Sequence, residues 1–219
     1  MELPYPSFLQ KFRREWGKQQ HCTVMGPTRC GKTWLCADLL KPRPYAVLLC
    51  VKGKDATIGR YAGWKVLSKW QERGWRDNHV VLWPPARTLQ EAKLIRPAIQ
   101  DCLERVYVEG SFSMGLDDLK YLAQSLGLHS DLSTMYATAG SNDISLLGCG
   151  QSPLGIKVQE ALHQASHWLI FHQADDRNVC RMAEVSGVSR QMMREYNRML
   201  SGRDFLWIQS MEEPVHVRR

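Results

Sequence analysis

Apolar residues concentrate in short runs at 21–25, 46–51, 79–83, 105–109, 144–149, 167–171 and 204–209. Runs of this length bounded by turn residues predict buried strands. Between them the apolar positions recur every three or four residues. Helices are predicted from residue 32 to about 40, at 88–103, 116–126, 130–138, 157–164 and 189–200, and from the Asp175–Asp176 cap through Val185, with Gly187 as its stop. Tyr61, Trp64, Leu67 and Trp70 stand at helical or near-helical intervals within 56–76, and Pro97 interrupts the stripe Leu89, Ala92, Ile95, Ile99, Leu103. Strands alternating with helices predict an α/β fold, a mostly parallel central sheet with helices on both faces.

The punctuation divides the chain. Pro4 and Pro6 precede Phe8, Leu9, Phe12 and Trp16, a spacing for a short helix, so 1–20 is expected to be an N-terminal arm. Residues 21–210 are expected to form one domain, and 211–219 a basic C-terminal tail.

One stretch carries specific chemistry. Gly26, Pro27, Thr28, Arg29, Cys30, Gly31, Lys32 and Thr33 fit G-x-x-x-x-G-K-[ST] between a predicted strand and a predicted helix. Polyphosphate needs many donors at short range without bulky side chains in the way, and glycine permits that approach. Loop amides and the positive end of the following helix, beginning with Trp34 in its first turn, would surround the β-phosphate. Lys32 would reach the β- and γ-phosphates, and Thr33 would place a hydroxyl on Mg²⁺. The motif licenses binding of a nucleoside triphosphate, with Mg²⁺ on its phosphates, and no more.

Two further residues stand where such a site needs them. Glu109 ends the predicted strand 105–109, as an acid that holds Mg²⁺ or orients water should. Gln151 follows the predicted strand 144–149, where an amide can bond the γ-phosphate or the attacking water; a plain loop glutamine is the alternative.

Composition narrows the setting. Hydrophobic residues make up 44% and charged residues 23% of 219, ordinary for a globular protein. The apolar run 46–51 is far too short to span a bilayer, and positions 1–6 lack the features of a secretion signal, so a cytoplasmic protein without a membrane partner is expected. The seven cysteines form no C-x-x-C pair and read as reduced, buried thiols. Cys30 is the one whose thiol the loop could acidify; a tolerated loop side chain is the alternative. A net charge of +7 favours anionic partners.

In order, the parts resemble the FtsK/HerA superfamily of RecA-like P-loop ATPases, in particular its small DNA-packaging and translocating members from viruses and mobile elements. The likeness covers about residues 20–187 and rests on the phosphate loop, on Val51 to Asp55, Val106 to Glu109 and Gly150 to Pro153, and on 163–171 and 176–187. It implies ATP hydrolysis coupled to movement of double-stranded DNA, a hexameric ring, and a host-cytoplasm setting for a viral or phage protein. In that family an Asp–Glu pair holds Mg²⁺ and polarises water. The corresponding positions here look like Glu109 and Gly110, leaving Asp117 or Asp118 to substitute if the chain folds back. The family also takes an arginine from a neighbouring subunit just before the sensor strand, where this chain has Gly140, Ser141, Asn142 and Asp143. A nucleotide-gated binding module with little or no turnover is the first alternative, and a small-molecule kinase the second.

Overall fold

A computed structural model of the chain describes residues 1–52, 59, 61–86, 88–156, 158–210 and 212–219. It opens with β1 (Glu2–Pro4) and α1 (Tyr5–Glu15), which has Pro6 in its first turn, where the missing N–H is no loss. Phe8, Phe12 and Trp16, one helical turn apart, bury one face of this segment. Then come β2 (His21–Met25), α2 (Lys32–Leu40), β3 (Ala46–Leu49), β4 (Lys65–Leu67) and β5 (His79–Leu82). α3 (Leu89–Leu94) is capped by Thr88, whose hydroxyl accepts the Glu91 N–H, and α4 (Arg96–Glu109) takes Pro97 in its first turn. Pro97 thus divides two helices and kinks neither.

Next are β6 (Ser113–Leu116), a π-helical turn at Tyr121–Ser125, α5 (His129–Thr138), β7 (Ser145–Gly150), α6 (Glu160–His163) and β8 (Ala165–Phe171). The chain closes with α7 (Asp176–Ser186), α8 (Arg190–Met199), β9 (Phe205–Gln209) and β10 (Val215–Arg218). Asp175 caps α7 and Gly187 ends it at φ 75°, as the sequence predicts.

The ten described strands form one sheet in the order β1-β10-β9-β8-β2-β7-β6-β3-β5-β4. From β8 to β4 every neighbouring pair is parallel; β9 runs against β8, and β10 against β9. Alternate strand residues face opposite layers. Val24, Leu48, Cys149 and Phe171 join α1 and α2 on one side, while Met25, Leu49, Leu146 and Ile170 join α4 to α8 on the other. The α/β class, the mostly parallel sheet and helices on both faces all stand.

Several expected elements differ. Residues 105–109 are the last turn of α4, not a strand. Ile99, Cys102, Leu103 and Val106 are buried at helical spacing while Val108 is 81% exposed, so Val106 and Val108 do not share a face. Gly110, at φ 69°, stops the helix, and a Cβ there would lie 2.7 Å from the Asn142 carbonyl oxygen. Over 61–76 the near-helical spacing corresponds to β4 and a 3₁₀ turn at Trp70–Glu72, with Tyr61, Leu67 and Trp70 buried in the core. The 116–126 segment begins as the end of β6 and becomes helical only at Leu119, running into the π turn. The expected arm and tail each supply a strand, β1 and β10, and the two pair with each other. Gly53, Lys54 and Asp55 lie outside the described residues.

Candidate functional site

The phosphate loop joins the carboxyl end of β2 to α2 at the middle of the sheet. Gly26 is enclosed: its N–H donates to the Gly150 carbonyl at 3.2 Å, and a Cβ would lie 2.6 Å from Phe171 Cβ and 2.8 Å from Cys30 Sγ. Arg29 and Gly31 turn the loop through left-handed φ values of 68° and 111°. Gly31 is the N-cap of α2, and no side chain caps that helix, so its positive end faces the loop. Lys32 Nζ donates to the carbonyls of Gly26 and Pro27, each at 2.7 Å, and so spans the loop's mouth. Tyr61 donates its hydroxyl to the Thr33 carbonyl at 3.3 Å and steadies the first turn of α2, in which Trp34 follows.

Between the loop and the ends of β6 and β7 lies a pocket lined by Thr28, Arg29, Lys32, Asp118, Cys149 and Gln151. Lys32 and Gln151 therefore line one pocket, together with Asp118, one of the two acids the sequence offers as substitutes for the missing base. Asp117 and Asp118 follow β6 directly. Asp117 is 4% exposed, donates its N–H to the Leu49 carbonyl at 3.3 Å, and has Oδ2 2.7 Å from Lys52 Nζ. Asp118 sits at φ 74° and accepts the Tyr121 N–H on Oδ1 at 3.1 Å, which fixes its side chain at the start of the π turn.

Glu109 is placed elsewhere. Its Oε1 accepts the Trp70 indole N–H at 3.1 Å and its Oε2 pairs with Arg73 at 2.7 Å. Ser111, two residues on, donates to the Asn142 carbonyl just ahead of β7, so Glu109 stands at the amino ends of the parallel strands. The loop stands at their carboxyl ends. The β-prone residues Val106, Tyr107 and Val108 read as a strand more strongly than Ser113-Met114-Gly115-Leu116, where the two following carboxylates are the available signal.

Two thiols complete the surroundings. Burial pushes the Cys30 thiol up, against the opposing pull of Lys32, so the loop does not acidify it. Cys36 on α2 and Cys149 on β7 are hydrogen-bonded, Sγ to Sγ, at 2.9 Å beneath the pocket, and that bond, with burial, pushes the Cys36 thiol well up. Among the described residues no group of three or more His, Cys, Asp or Glu side chains is placed to hold a metal, and no helix is long and apolar enough to cross a membrane. The hydroxyl of Thr33 and the carboxylate of Asp117 are hard oxygen donors suited to Mg²⁺, and Asp117 already holds a cation, the Lys52 ammonium.

No protein-family model matches the sequence, and comparison with curated protein sequences returns no match either. Solved structures do match. The chain is similar to B204, the DNA-packaging ATPase of Sulfolobus turreted icosahedral virus, at 12% identity over 90% of this chain and 95% of that one, with a TM-score of 0.63. The genome-packaging NTPase B204 of Sulfolobus turreted icosahedral virus 2, in complex with AMPPCP, gives 11% identity, coverage of 89% and 94%, and a TM-score of 0.58. VirB4 of Thermoanaerobacter pseudethanolicus gives 8% identity, coverage of 90% and 88%, and a TM-score of 0.67. The chain shares its fold with these viral B204 proteins and with VirB4.

Proposed function

We propose that this chain, with the fold those proteins share, is a Mg²⁺-dependent ATPase that moves double-stranded DNA, as a packaging or translocation motor. The observation that carries the reading is the convergence of Lys32, Asp118 and Gln151 on one pocket at the mouth of the phosphate loop. A P-loop lysine, a strand-end acid and a polar amide are the groups that triphosphate cleavage needs together. The bound AMPPCP of the viral packaging protein supports the nucleotide, and the net charge of +7 supports a phosphate-backbone partner.

In this reading Lys32 exchanges the Gly26 and Pro27 carbonyls for β- and γ-phosphate oxygens, while the amides of 26–33 and Trp34 hold the rest of the polyphosphate. Thr33 and Asp117 would hold Mg²⁺, which would supply positive charge against the triphosphate. Lys52, 2.7 Å from Asp117 Oδ2, would have to give up that contact for a cation to take its place. Asp118 accepts a proton from the attacking water, and Gln151 orients that water or the γ-phosphate. Glu109 takes no part. In this proposal the motor works as a ring, a hexamer of a viral or phage protein in its host's cytoplasm.

A second reading, a nucleotide-gated binding module with weak turnover, draws on the same ammonium groups. Lys32 and Lys52 already occupy loop carbonyls and the acid, so ATP must displace both. Phosphate release with and without duplex DNA separates the two. DNA-accelerated, Mg²⁺-dependent release supports the motor; near-zero, DNA-independent release beside micromolar ATP binding rejects it.

A further inference from the structure

The inference that follows rests on the triphosphate reading of residues 26–33. Lys32, Asp118 and Gln151 occupy the β6–β7 flank of the loop. The opposite flank is built from β8, β9, β10 and β1 and carries two arginines that no step above uses. Because β9 runs against β8, Phe171 pairs with Phe205, and the turn at 201–204 arrives at the loop's rim. β10 reverses once more, so Arg219, beyond its end, returns to that rim, and β1 beside it brings Tyr5 there.

The approach is close. A Cβ built on Gly31 would lie 3.5 Å from Arg219 Nη1 and 3.8 Å from Arg203 Cδ. Arg219 is held in place: its N–H donates to Asp204 Oδ1 at 3.0 Å, its Nη2 to Asp38 Oδ2 at 3.3 Å, and its guanidinium lies 4.4 Å from the Tyr5 ring centre. Tyr5 donates its hydroxyl to the same Asp38 oxygen at 2.6 Å. Arg219 Nη1 is buried, yet among the described residues it has no hydrogen-bond partner. Buried guanidinium donors are ordinarily satisfied, so an unused one against an anion-binding loop points to an anion. Arg203, exposed at the rim, has its guanidinium carbon 5.7 Å from the ring centre of Trp34.

We propose that Arg219 and Arg203 are nucleotide-binding residues acting within their own subunit on the nucleoside half of the ligand. The terminal phosphate is fixed on the flank of Lys32 and Gln151. The polyphosphate then crosses the amino end of α2 and leaves on the flank of Trp34 and the two arginines. Arg219 Nη1 donates to the α-phosphate. Arg203 and the Trp34 ring border the ribose and base, a cation and a π-face side by side.

Calorimetric titration of the full chain with ADP, ATP and inorganic tripolyphosphate, at fixed Mg²⁺, tests this. Arg219→Ala should weaken ADP, ATP and tripolyphosphate about tenfold or more, the effect of one charge-assisted hydrogen bond to the α-phosphate position, and Arg203→Ala should weaken ADP and ATP several-fold with tripolyphosphate affinity unchanged. Arg203→Ala at an exposed turn keeps the fold and decides the matter if Arg219→Ala does not; Arg219→Lys, which keeps the charge and loses the fork, should fall between. Unchanged ADP affinity in the variants overturns the assignment, as does a loss for tripolyphosphate in Arg203→Ala equal to its loss for ADP. A wild-type chain that binds none of the three ligands overturns the phosphate-loop reading itself, whereas wild-type binding with indifferent variants sinks only this inference.

Discussion

At the scale of single residues the account divides the carboxylates. Asp118 lines the pocket with Lys32 and Gln151, while Glu109 is engaged by Trp70 and Arg73 at the other rim. Asp118→Asn is therefore expected to keep ATP binding and slow phosphate release by roughly a hundredfold or more, the scale for removing a positioned base. Glu109→Gln is expected to leave turnover unchanged and to lower stability by about 1 kcal/mol or less, since its ion pair is partly exposed. Steady-state kinetics and denaturant melts check the pair, and slow turnover in Glu109→Gln with normal turnover in Asp118→Asn would reverse the assignment. Two buried histidines set an acid limit. Burial lowers both His21 and His167 from 6.5 to about 4. His167 Nδ1 accepts the Trp207 indole N–H at 3.3 Å and His21 Nδ1 accepts the Leu146 N–H at 3.2 Å, roles only the neutral ring can fill. The unfolded chain therefore binds protons first. The stabilisation is complete above about 6.5 and is lost as pH falls from there through about 4, at most about 3 kcal/mol for each ring. Urea unfolding at stepped pH should show this decline, and His167→Gln should flatten it.

Among elements, the exchange of a strand for the end of α4 is the most instructive. Val106 is buried and Val108 is 81% exposed, so Val106→Asp should cost several kcal/mol and Val108→Asp within about 0.5 kcal/mol. A strand would bury both on one face, and equal losses in thermal melts would restore it. The phosphate loop and Gln151 were legible because each is a local pattern beside a long apolar run. The strand carrying Asp117 and Asp118 was hidden: it has four residues, two of them Ser113 and Gly115, and its burial comes from neighbours distant in sequence. Gly115 has space for little else, since a Cβ there would lie 2.7 Å from Leu40 Cδ1 and 2.9 Å from Leu48 Cδ1. β1, β4 and β10 escaped for a related reason. They are three or four residues long, lie toward the two ends of the sheet, and show a strand pattern only once paired.

Over the whole molecule, the sheet reads as a device with two flanks. One gathers the strand-end acids and Gln151 beside β2, and the other, built from reversing strands, returns Tyr5, Arg203 and Arg219 to the same rim. Sequence shows the arginines only as a basic cluster, because the two reversals that deliver them to Gly31 are properties of the fold. The interacting ends make a testable unit: deleting residues 2–4 removes β1 from beside β10 and should lower the melting temperature by several degrees, about what a loss of 1 to 2 kcal/mol produces. The most direct test of the central claim is phosphate release from ATP with Mg²⁺, with and without duplex DNA, by the wild-type chain and Lys32→Ala. The account predicts release that DNA accelerates and that Lys32→Ala abolishes. Release equal in the two proteins, or absent from the wild type under every condition, would contradict it.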